Sequence, residues 1–177
     1  MIVNEQGQLC KSGNDVCLLK FDSSIFESDT SNSVEAACLP QAESTHGRAC
    51  WIAGWGATSV WDPNQDDQPP SGTRILQEAG VNLFDVYYCY DNTVVRPTGN
   101  GEICAGIPDQ DGNGISDGGV DACKGDSGGP LLCDVAGVTT LTGVVSKGKG
   151  CAREGDASIY ADVFYFKSWI EQTIAEN

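Results

Sequence analysis

Short apolar runs, separated by clusters of Gly, Pro, Asp and Asn, dominate the chain from Ala49 onward. Runs of this kind, bounded by turn-forming residues and repeated several times, are typical of the strands of a β-sandwich or β-barrel. The predicted strands lie at 49–55, 75–83, 102–106, 130–135, 138–146 and 158–163. The pattern therefore predicts an all-β domain.

A helical pattern is confined to the end of the chain. Within residues 164–174, Phe166, Trp169, Ile170 and Ile174 recur at the spacing of one helix face. We predict a C-terminal α-helix whose apolar face packs in the core.

The chain before residue 48 has a weaker pattern. A short apolar run from Cys17 to Phe21 predicts a buried strand, and the polar stretch 22–47 is interpreted as a connector. Too few strands are predicted before residue 48 for that part of the chain to form a barrel of its own. Residues 61–72 are rich in Asp and Pro, and we expect them to form an exposed, mobile loop.

Composition narrows the function and the compartment. The 177 residues carry a net charge of −15, which argues against nucleic acid as a partner because its phosphates would be repelled. Nine cysteines favour an oxidising compartment, so we expect a secreted, extracellular protein. No run of about 18 apolar residues occurs, so no membrane span is predicted. The first residues do not resemble a signal peptide, and we expect the true beginning to be missing.

The strongest chemical feature is a glycine-rich segment, Asp121 to Pro130, around one serine. Glycine in such number disfavours a helix or regular strand and favours a tight turn that presents Ser127. A hydroxyl is a weak nucleophile, so it needs an adjacent base and an oxyanion site. The N–H groups of Gly125 and Ser127 are the predicted oxyanion site, since Gly125 has no side chain in the way.

This segment resembles the active-serine segment of trypsin-like, chymotrypsin-fold serine proteases. Further matches occur in the order that the family has them. They lie at Asn14 to Lys20, Cys50 to Gly56, Gly101 to Gly106 and the closing Trp169-Ile170 helix. The resemblance thus extends over almost the whole chain.

The resemblance implies an antiparallel Greek-key β-barrel, the second barrel of the two-barrel trypsin-like fold, followed by a C-terminal α-helix. Residues 1–177 would form a partial peptidase domain. Within it, residues 1–47 would be a first-barrel remnant with the inter-barrel connector, and residues 48–177 the second barrel and helix.

The resemblance also implies a serine endopeptidase that works through an acyl-enzyme. Ser127 would attack the scissile carbonyl, the N–H groups of Gly125 and Ser127 would hold the oxyanion, and Asp15 would orient a histidine. The family's histidine precedes the aspartate in the first barrel, and no such segment occurs here. The one histidine, His46, lies in a polar stretch and is interpreted as a surface residue. We therefore expect negligible activity from this chain, because a triad without one member retains only residual catalysis.

Asp126 matches the family's zymogen-activation acid, which pairs with a newly released amino terminus. Ile2-Val3 copies only the first two letters of that terminus and lies too close to Asp15 for a first barrel to fit between. We interpret this likeness as coincidence. Without its partner, Asp126 is expected to be an unpaired acid, exposed or protonated.

Substrate preference is implied by Asp121, six residues before Ser127. An acid there forms the pocket floor in trypsin-like members and selects Lys or Arg through opposite charge. Ser146, Gly148 and Ser158 resemble residues that line this pocket. Ser158 replaces the usual glycine, so we expect a narrower cavity.

Lys147 is a second departure, since the family usually has tryptophan there. Its loss removes an apolar platform for substrate. We expect the ammonium group either to repel a basic substrate residue or to fold back toward an acid such as Glu154.

Cysteine spacing alone cannot fix the disulfide pairing. The resemblance implies Cys50–Cys133, Cys89–Cys104 and Cys123–Cys151. Three cysteines then remain. Cys38 aligns with a position that often bonds to a propeptide, and Cys10–Cys17 is an alternative pair.

An acidic loop resembles the first nine positions of an EF-hand calcium site. Its candidate ligands are Asp109, Asp111, Asn113 and Asp117. Position 12 is Val120 rather than glutamate, and no helix is predicted on either side. A flexible acidic insertion is the favoured interpretation, with calcium the alternative; no other cofactor or metal is expected.

The expected partners are protein or peptide substrates and protease inhibitors. The G-x-S-x-G pattern also occurs in α/β-hydrolases, but here no predicted helix follows Gly129 and no histidine follows Ser127. A truncated pseudoprotease that acts as a binding module is the alternative. The fragment of an active protease is favoured because Asp15, Asp121 and Ser127 all keep the active pattern.

Overall fold

The structure, a computed structural model, describes residues 15–20, 33–64 and 70–176. Antiparallel strands within these ranges form a closed barrel. They are β1 (Ala49–Gly54), β2 (Gln77–Phe84), β3 (Glu102–Gly106), β4 (Pro130–Val135), β5 (Val138–Lys147) and β6 (Ser158–Asp162). The strands predicted from residue 49 onward are therefore all confirmed, with their ends within about two residues of the prediction.

The order of strands around the barrel is β1-β2-β3-β6-β5-β4, and β4 closes the ring by pairing with β1. The alternation of side chains along each strand turns one set of residues inward. Leu83, Leu131 and Tyr160 are almost completely buried at the centre. The all-β fold class and its antiparallel barrel are thus confirmed.

The C-terminal helix, α2 (Val163–Glu176), is also confirmed, but its buried face is narrower than predicted. Phe166 and Ile170 pack with Val163, whereas Trp169 is 43% and Ile174 65% exposed. The helix lies on the outside of the barrel, so only the residues that face β5 are covered. The prediction that Trp169 and Ile174 belong to the core was wrong.

A short helix that the pattern analysis missed, α1, spans Val86–Asn92. Its N-cap is Asp85, whose carboxylate accepts the N–H of Tyr88 at 2.8 Å. The sequence is rich in aromatic residues of modest helix propensity, which explains the missing signal. Asp85 was the one available indication that a helix begins here.

Residues 15–20 do not form a strand, and no described strand pairs with them. Leu19 is 76% exposed, so the predicted buried strand over Cys17–Phe21 is wrong for its described part; Phe21 lies outside the described residues. Val16 is instead half-buried and packs against the cluster of Ala161, Val163, Phe166 and Ile170. That contact fixes the position of its neighbour, Asp15.

The Asp- and Pro-rich loop is anchored at its start rather than free. The N–H of Trp61 donates to the carbonyl of Cys151 at 3.2 Å, and the N–H of Cys151 donates back at 3.0 Å. Asp62 forms an ion pair with Arg153. The prediction of an exposed loop from residue 61 was wrong at this end, and residues 65–69 lie outside the described ranges.

No helix among the described residues combines the length and apolar character needed to cross a membrane.

Candidate active site

The segment that carries Ser127 folds as a tight turn at the edge of the barrel. The N–H of Gly129 donates to the carbonyl of Asp126 at 2.8 Å. Gly125 and Gly128 have φ angles of 103° and 84°, in the left-handed region that residues with a side chain rarely adopt. The turn leaves Ser127 exposed to solvent.

The backbone N–H groups of Gly125 and Ser127 have no acceptor within the described ranges. A Cβ at Gly125 would lie 3.1 Å from the Cα of Gly56, so glycine allows this close approach. Unpaired N–H groups on a constrained turn suit a negatively charged oxygen.

The carboxylate of Asp126 turns away from the serine and toward the backbone. Its oxygens accept the N–H of Gly56 at 2.8 Å and the N–H of Cys123 at 2.9 Å. A Cβ at Gly54 or Gly56 would overlap this carboxylate, so both glycines make room for it. No described cation pairs with Asp126, as expected, but two backbone amides bind its carboxylate, so the expectation that it is simply exposed or protonated was wrong.

The structure brings Asp15 to the same strand that holds the serine turn. The hydroxyl of Ser146, on β5, donates to the Asp15 carboxylate at 2.8 Å. The preceding residue of β5, Val145, accepts from the N–H of Gly128 and donates to the carbonyl of Gly129, both at 2.9 Å. Asp15 and the serine turn are therefore attached to adjacent residues of β5.

Asp121 lines a cavity with Asp126, between the end of β1 and the serine segment. One carboxylate oxygen, Oδ1, is buried without a hydrogen-bond partner in the described part of the chain. The other is 3.5 Å from the N–H of Ala152, the limit of a hydrogen bond. Burial raises the pKa of Asp121 to about 7, and repulsion from Asp156 adds to the rise. Asp121 therefore has a buried carboxylate oxygen without a hydrogen bond, and no described cation is paired with it.

The predicted lining residues differ in what they contact. Ser158 is buried, and its hydroxyl donates to the carbonyl of Ala122 at 3.3 Å, next to Asp121. A Cβ at Gly148 would lie 3.5 Å from this hydroxyl, so the two residues are neighbours. The hydroxyl of Ser146 is directed to Asp15 instead.

Lys147 is neutralised by an acid, although not by the one that we expected. Its ammonium group contacts Glu102 at 2.6 Å and the hydroxyl of Thr98 at 2.9 Å. Burial opposes ionisation of Glu102, but the hydrogen bonds from Lys147 and Thr98 outweigh it and lower the pKa. Glu154 instead accepts from the side chain of Asn113 at 2.8 Å, so the suggested Lys147–Glu154 contact was wrong.

His46 contacts residues next to α1 rather than the serine turn. Its Nδ1 accepts the N–H of Asp85 at 3.1 Å, and its ring packs against Phe84 and Tyr88. The side chain is 44% exposed. No described contact joins it to Ser127 or Asp15.

The comparisons with known proteins agree with this arrangement. The family model for trypsin matches residues 2–170. The chain belongs to the trypsin family. It is 36% identical to human Transmembrane protease serine 5 over 92% of this chain and 32% of that protein. It is 35% identical to Trypsin-1 of Astacus astacus, over 89% of this chain and 59% of that protein, and 34% identical to Trypsin eta of Drosophila erecta, over 91% and 54%. The chain therefore spans less than two thirds of the length of these relatives.

The disulfides of this trypsin-family chain match the pairs that the resemblance implied. They are Cys50–Cys133, Cys89–Cys104 and Cys123–Cys151. Cys17 and Cys38 form no disulfide with another described residue, and Cys10 lies outside the described residues, so the Cys10–Cys17 alternative stays untested.

The acidic loop folds on its own backbone. Asp109 accepts the N–H groups of Gly114 and Gly112, at 2.8 and 2.7 Å, and these bonds lower its pKa. Asp109, Asp111 and Asp117 can each bring one oxygen within 4.8 Å of the others. The side-chain amide of Asn113 donates to Glu154, and Val120 stands where an EF-hand loop has its bidentate glutamate.

One polar cluster near the cavity escaped the sequence analysis. Arg153 forms ion pairs with Asp62, at 2.6 Å, and Asp156, at 2.8 Å. Asp62 lies 91 positions before its partner, so no local pattern connects the two. Asp156 lies only three positions after Arg153, but no motif in the sequence singled it out either.

Proposed function

We propose that this chain carries part of the machinery of a serine endopeptidase. Ser127 is the nucleophile, and the N–H groups of Gly125 and Ser127 bind the oxyanion. Asp15 orients a histidine and stabilises its charged form. The observation that carries the proposal is the attachment of Asp15 and the serine turn to adjacent residues of β5. The division into 1–47 and 48–177 is part of this proposal, and the location of all described strands after residue 48 supports it.

We further propose cleavage after Lys or Arg, with Asp121 as the acid that binds the substrate's cation. Its buried Oδ1 has no described hydrogen-bond partner, so an ammonium or guanidinium group would supply the missing partner. Binding a cation would also favour ionisation of a carboxyl whose pKa is about 7. Replacing Asp121 with Ser in a full-length enzyme should abolish the preference for basic residues.

The reaction requires a base that accepts the proton of Ser127, and no described residue of this chain contacts Ser127 as such a base. The sequence has a single histidine, His46, which contacts Asp85 instead. We propose that the histidine is supplied from outside these 177 residues and that this chain alone has negligible activity. The same observation favours a second candidate, a pseudoprotease that binds basic peptides without cleaving them.

The proposed substrates and compartment are supported by the family and the disulfides. Protein or peptide substrates and protease inhibitors are the proposed partners. The disulfides of the described residues fit an oxidising compartment, so we propose a secreted protein. The net charge of −15 disfavours nucleic acid as a partner.

Hydrolysis of an arginine ester by the purified chain, with and without added imidazole, tests the proposal. Without imidazole, the chain and Ser127→Ala should both give background rates. Imidazole can enter as a replacement base, and we expect it to raise the rate of the wild-type chain above that of Ser127→Ala. A fast reaction without imidazole that Ser127→Ala removes would overturn the proposed inactivity. No serine-dependent increment at any imidazole concentration would favour the binding module.

A further inference from the structure

A three-residue ion cluster lies behind the pocket that contains Asp121. Arg153 Nε and Nη2 donate to the two oxygens of Asp156, at 2.8 and 3.0 Å, in a bidentate pair. Nη1 lies 2.6 Å from Asp62 Oδ1, and Nη2 also donates to the carbonyl of Lys149 at 2.9 Å. The Asp156 and Asp62 side chains are only 2% and 17% exposed. A planar guanidinium that contacts a buried acid, a half-buried acid and a carbonyl is held in one orientation.

The cluster connects distant parts of the chain directly beside the pocket. Trp61 exchanges two backbone hydrogen bonds with Cys151, which is disulfide-bonded to Cys123 in the serine segment. Ala152, between Cys151 and Arg153, directs its N–H to Asp121 at 3.5 Å. One peptide unit therefore separates the cluster from the acid at the pocket floor.

The close packing at this point leaves little freedom for adjustment. A Cβ at Gly150 would lie 2.7 Å from the carbonyl oxygen of Trp61 and 2.9 Å from Nε of Arg153. A Cβ at Gly118 would lie 2.6 Å from the carbonyl carbon of Arg153. Gly150 is thus fitted to the guanidinium and to the Trp61 carbonyl, and Gly118 is fitted to the backbone of Arg153.

The cluster also affects the charge around Asp121. The ionisable groups that interact with Asp121 are Asp156 and Tyr160, and Asp126 lines the same cavity. Asp156 repels the charged form of Asp121, and Arg153 is the cation that offsets Asp156. Loss of Arg153 would leave the Asp156 charge uncompensated and make Asp121 harder to ionise.

We propose that Arg153 is a positioning residue for the recognition of basic substrates: it clamps Asp62 and the Trp61 segment to the pocket wall and balances the charge of Asp156. This role rests on the proposed function of Asp121. Arg153 itself does not contact the substrate. It holds Ala152 in place and keeps Asp121 ionisable.

Titration of the full 177-residue chain with p-aminobenzamidine, a fluorescent aromatic amidine, tests this role. Wild type should bind with an affinity that rises with pH as Asp121 ionises, and Asp121→Ser should not bind. Arg153→Gln should weaken binding about tenfold at pH 8 and move the midpoint of the pH profile up by about one unit. Arg96→Gln, which removes the same charge from an exposed position, should bind within about twofold of wild type.

The outcomes separate the two proposals. Failure of wild type to bind, or unchanged binding by Asp121→Ser, would refute Asp121 as the cation site. Normal binding and an unshifted pH midpoint in Arg153→Gln, with the expected behaviour of Asp121→Ser, would refute the positioning role alone. If Arg153→Gln lacks a cooperative thermal transition, Asp62→Asn decides, because it removes the ion pair between Arg153 and the Trp61 segment and keeps the Arg153–Asp156 pair. We expect it to weaken binding about threefold, and wild-type affinity would overturn the clamp.

Discussion

Replacing Asp121 with Asn should make the protein more stable at alkaline pH, although it removes a residue that we place in the substrate pocket. Burial raises the pKa of Asp121 from 3.8 to about 7. An acid with a raised pKa holds its proton more tightly in the folded state than in the unfolded state. Its contribution to the free energy of unfolding is therefore largest at low pH and is lost as the pH rises through the interval from about 4 to about 7.

The size of the effect follows from the two pKa values. The difference is about 3 units, and each unit corresponds to about 1.4 kcal/mol, so the full penalty is up to about 4 kcal/mol at pH 8. Asn keeps an acceptor for the N–H of Ala152 and cannot ionise. The free energy of unfolding of Asp121→Asn, relative to wild type, should thus rise by up to about 4 kcal/mol between pH 4 and pH 8.

Urea denaturation followed by tryptophan fluorescence at pH 4, 6 and 8 measures this difference. Asp91→Asn, on the exposed surface of α1, serves as the control for loss of one negative charge. A stability difference between Asp121→Asn and wild type that stays the same at all three pH values would refute the reasoning. It would mean that Asp121 ionises in the folded chain at an ordinary pH.

Three further predictions concern other contacts of the site. Gly56→Ala should lower the free energy of unfolding by about 2 kcal/mol or more, because its Cβ would displace the Asp126 carboxylate from the backbone amides that bind it. Gly80→Ala, whose new Cβ would have nothing within 4 Å, should have a much smaller effect in the same urea titration, and equal losses would contradict this. Lys147→Met should lower the free energy of unfolding by about 1–3 kcal/mol at pH 7, because it leaves the buried Glu102 side chain without its cation. The loss should be smaller at pH 3, because the contribution of an acid with a lowered pKa disappears as the acid is protonated. A loss of the same size at both pH values would argue against the pair. Calorimetric titration with calcium should give no binding heat, because Val120 leaves the acidic loop without its bidentate ligand, and a saturable heat would show that three carboxylates suffice.

The barrel could be predicted closely because its signal is local. Each strand is a short apolar run between turn-forming residues, and pairing with neighbours does not change where such a run begins and ends. α1 was missed since seven residues are too few for a helical period to emerge from an aromatic-rich sequence. Trp169 and Ile174 were misplaced because periodicity identifies an apolar face but not how much of it a barrel covers.

The site was predictable where one segment holds all the relevant residues. The serine turn is an example, because its glycines and Ser127 are contiguous. The partners of the charged residues were not predictable, since they come from distant segments. Asp126 is bound by the N–H of Gly56, Lys147 by Glu102, and Arg153 by Asp62. The spacing of residues along the sequence does not indicate which distant residues form such pairs.

The claim that Ser127 is a nucleophile is tested most directly by locating the acyl group after reaction with p-nitrophenyl p-guanidinobenzoate, an activated ester with a guanidinium group, in the presence of imidazole. Mass spectrometry of the digested chain identifies the modified residue. We predict a single guanidinobenzoyl group on the hydroxyl of Ser127, absent in Ser127→Ala and strongly reduced in Asp121→Ser. An unmodified Ser127, or a label spread over surface lysines that is the same in all three proteins, would contradict the account.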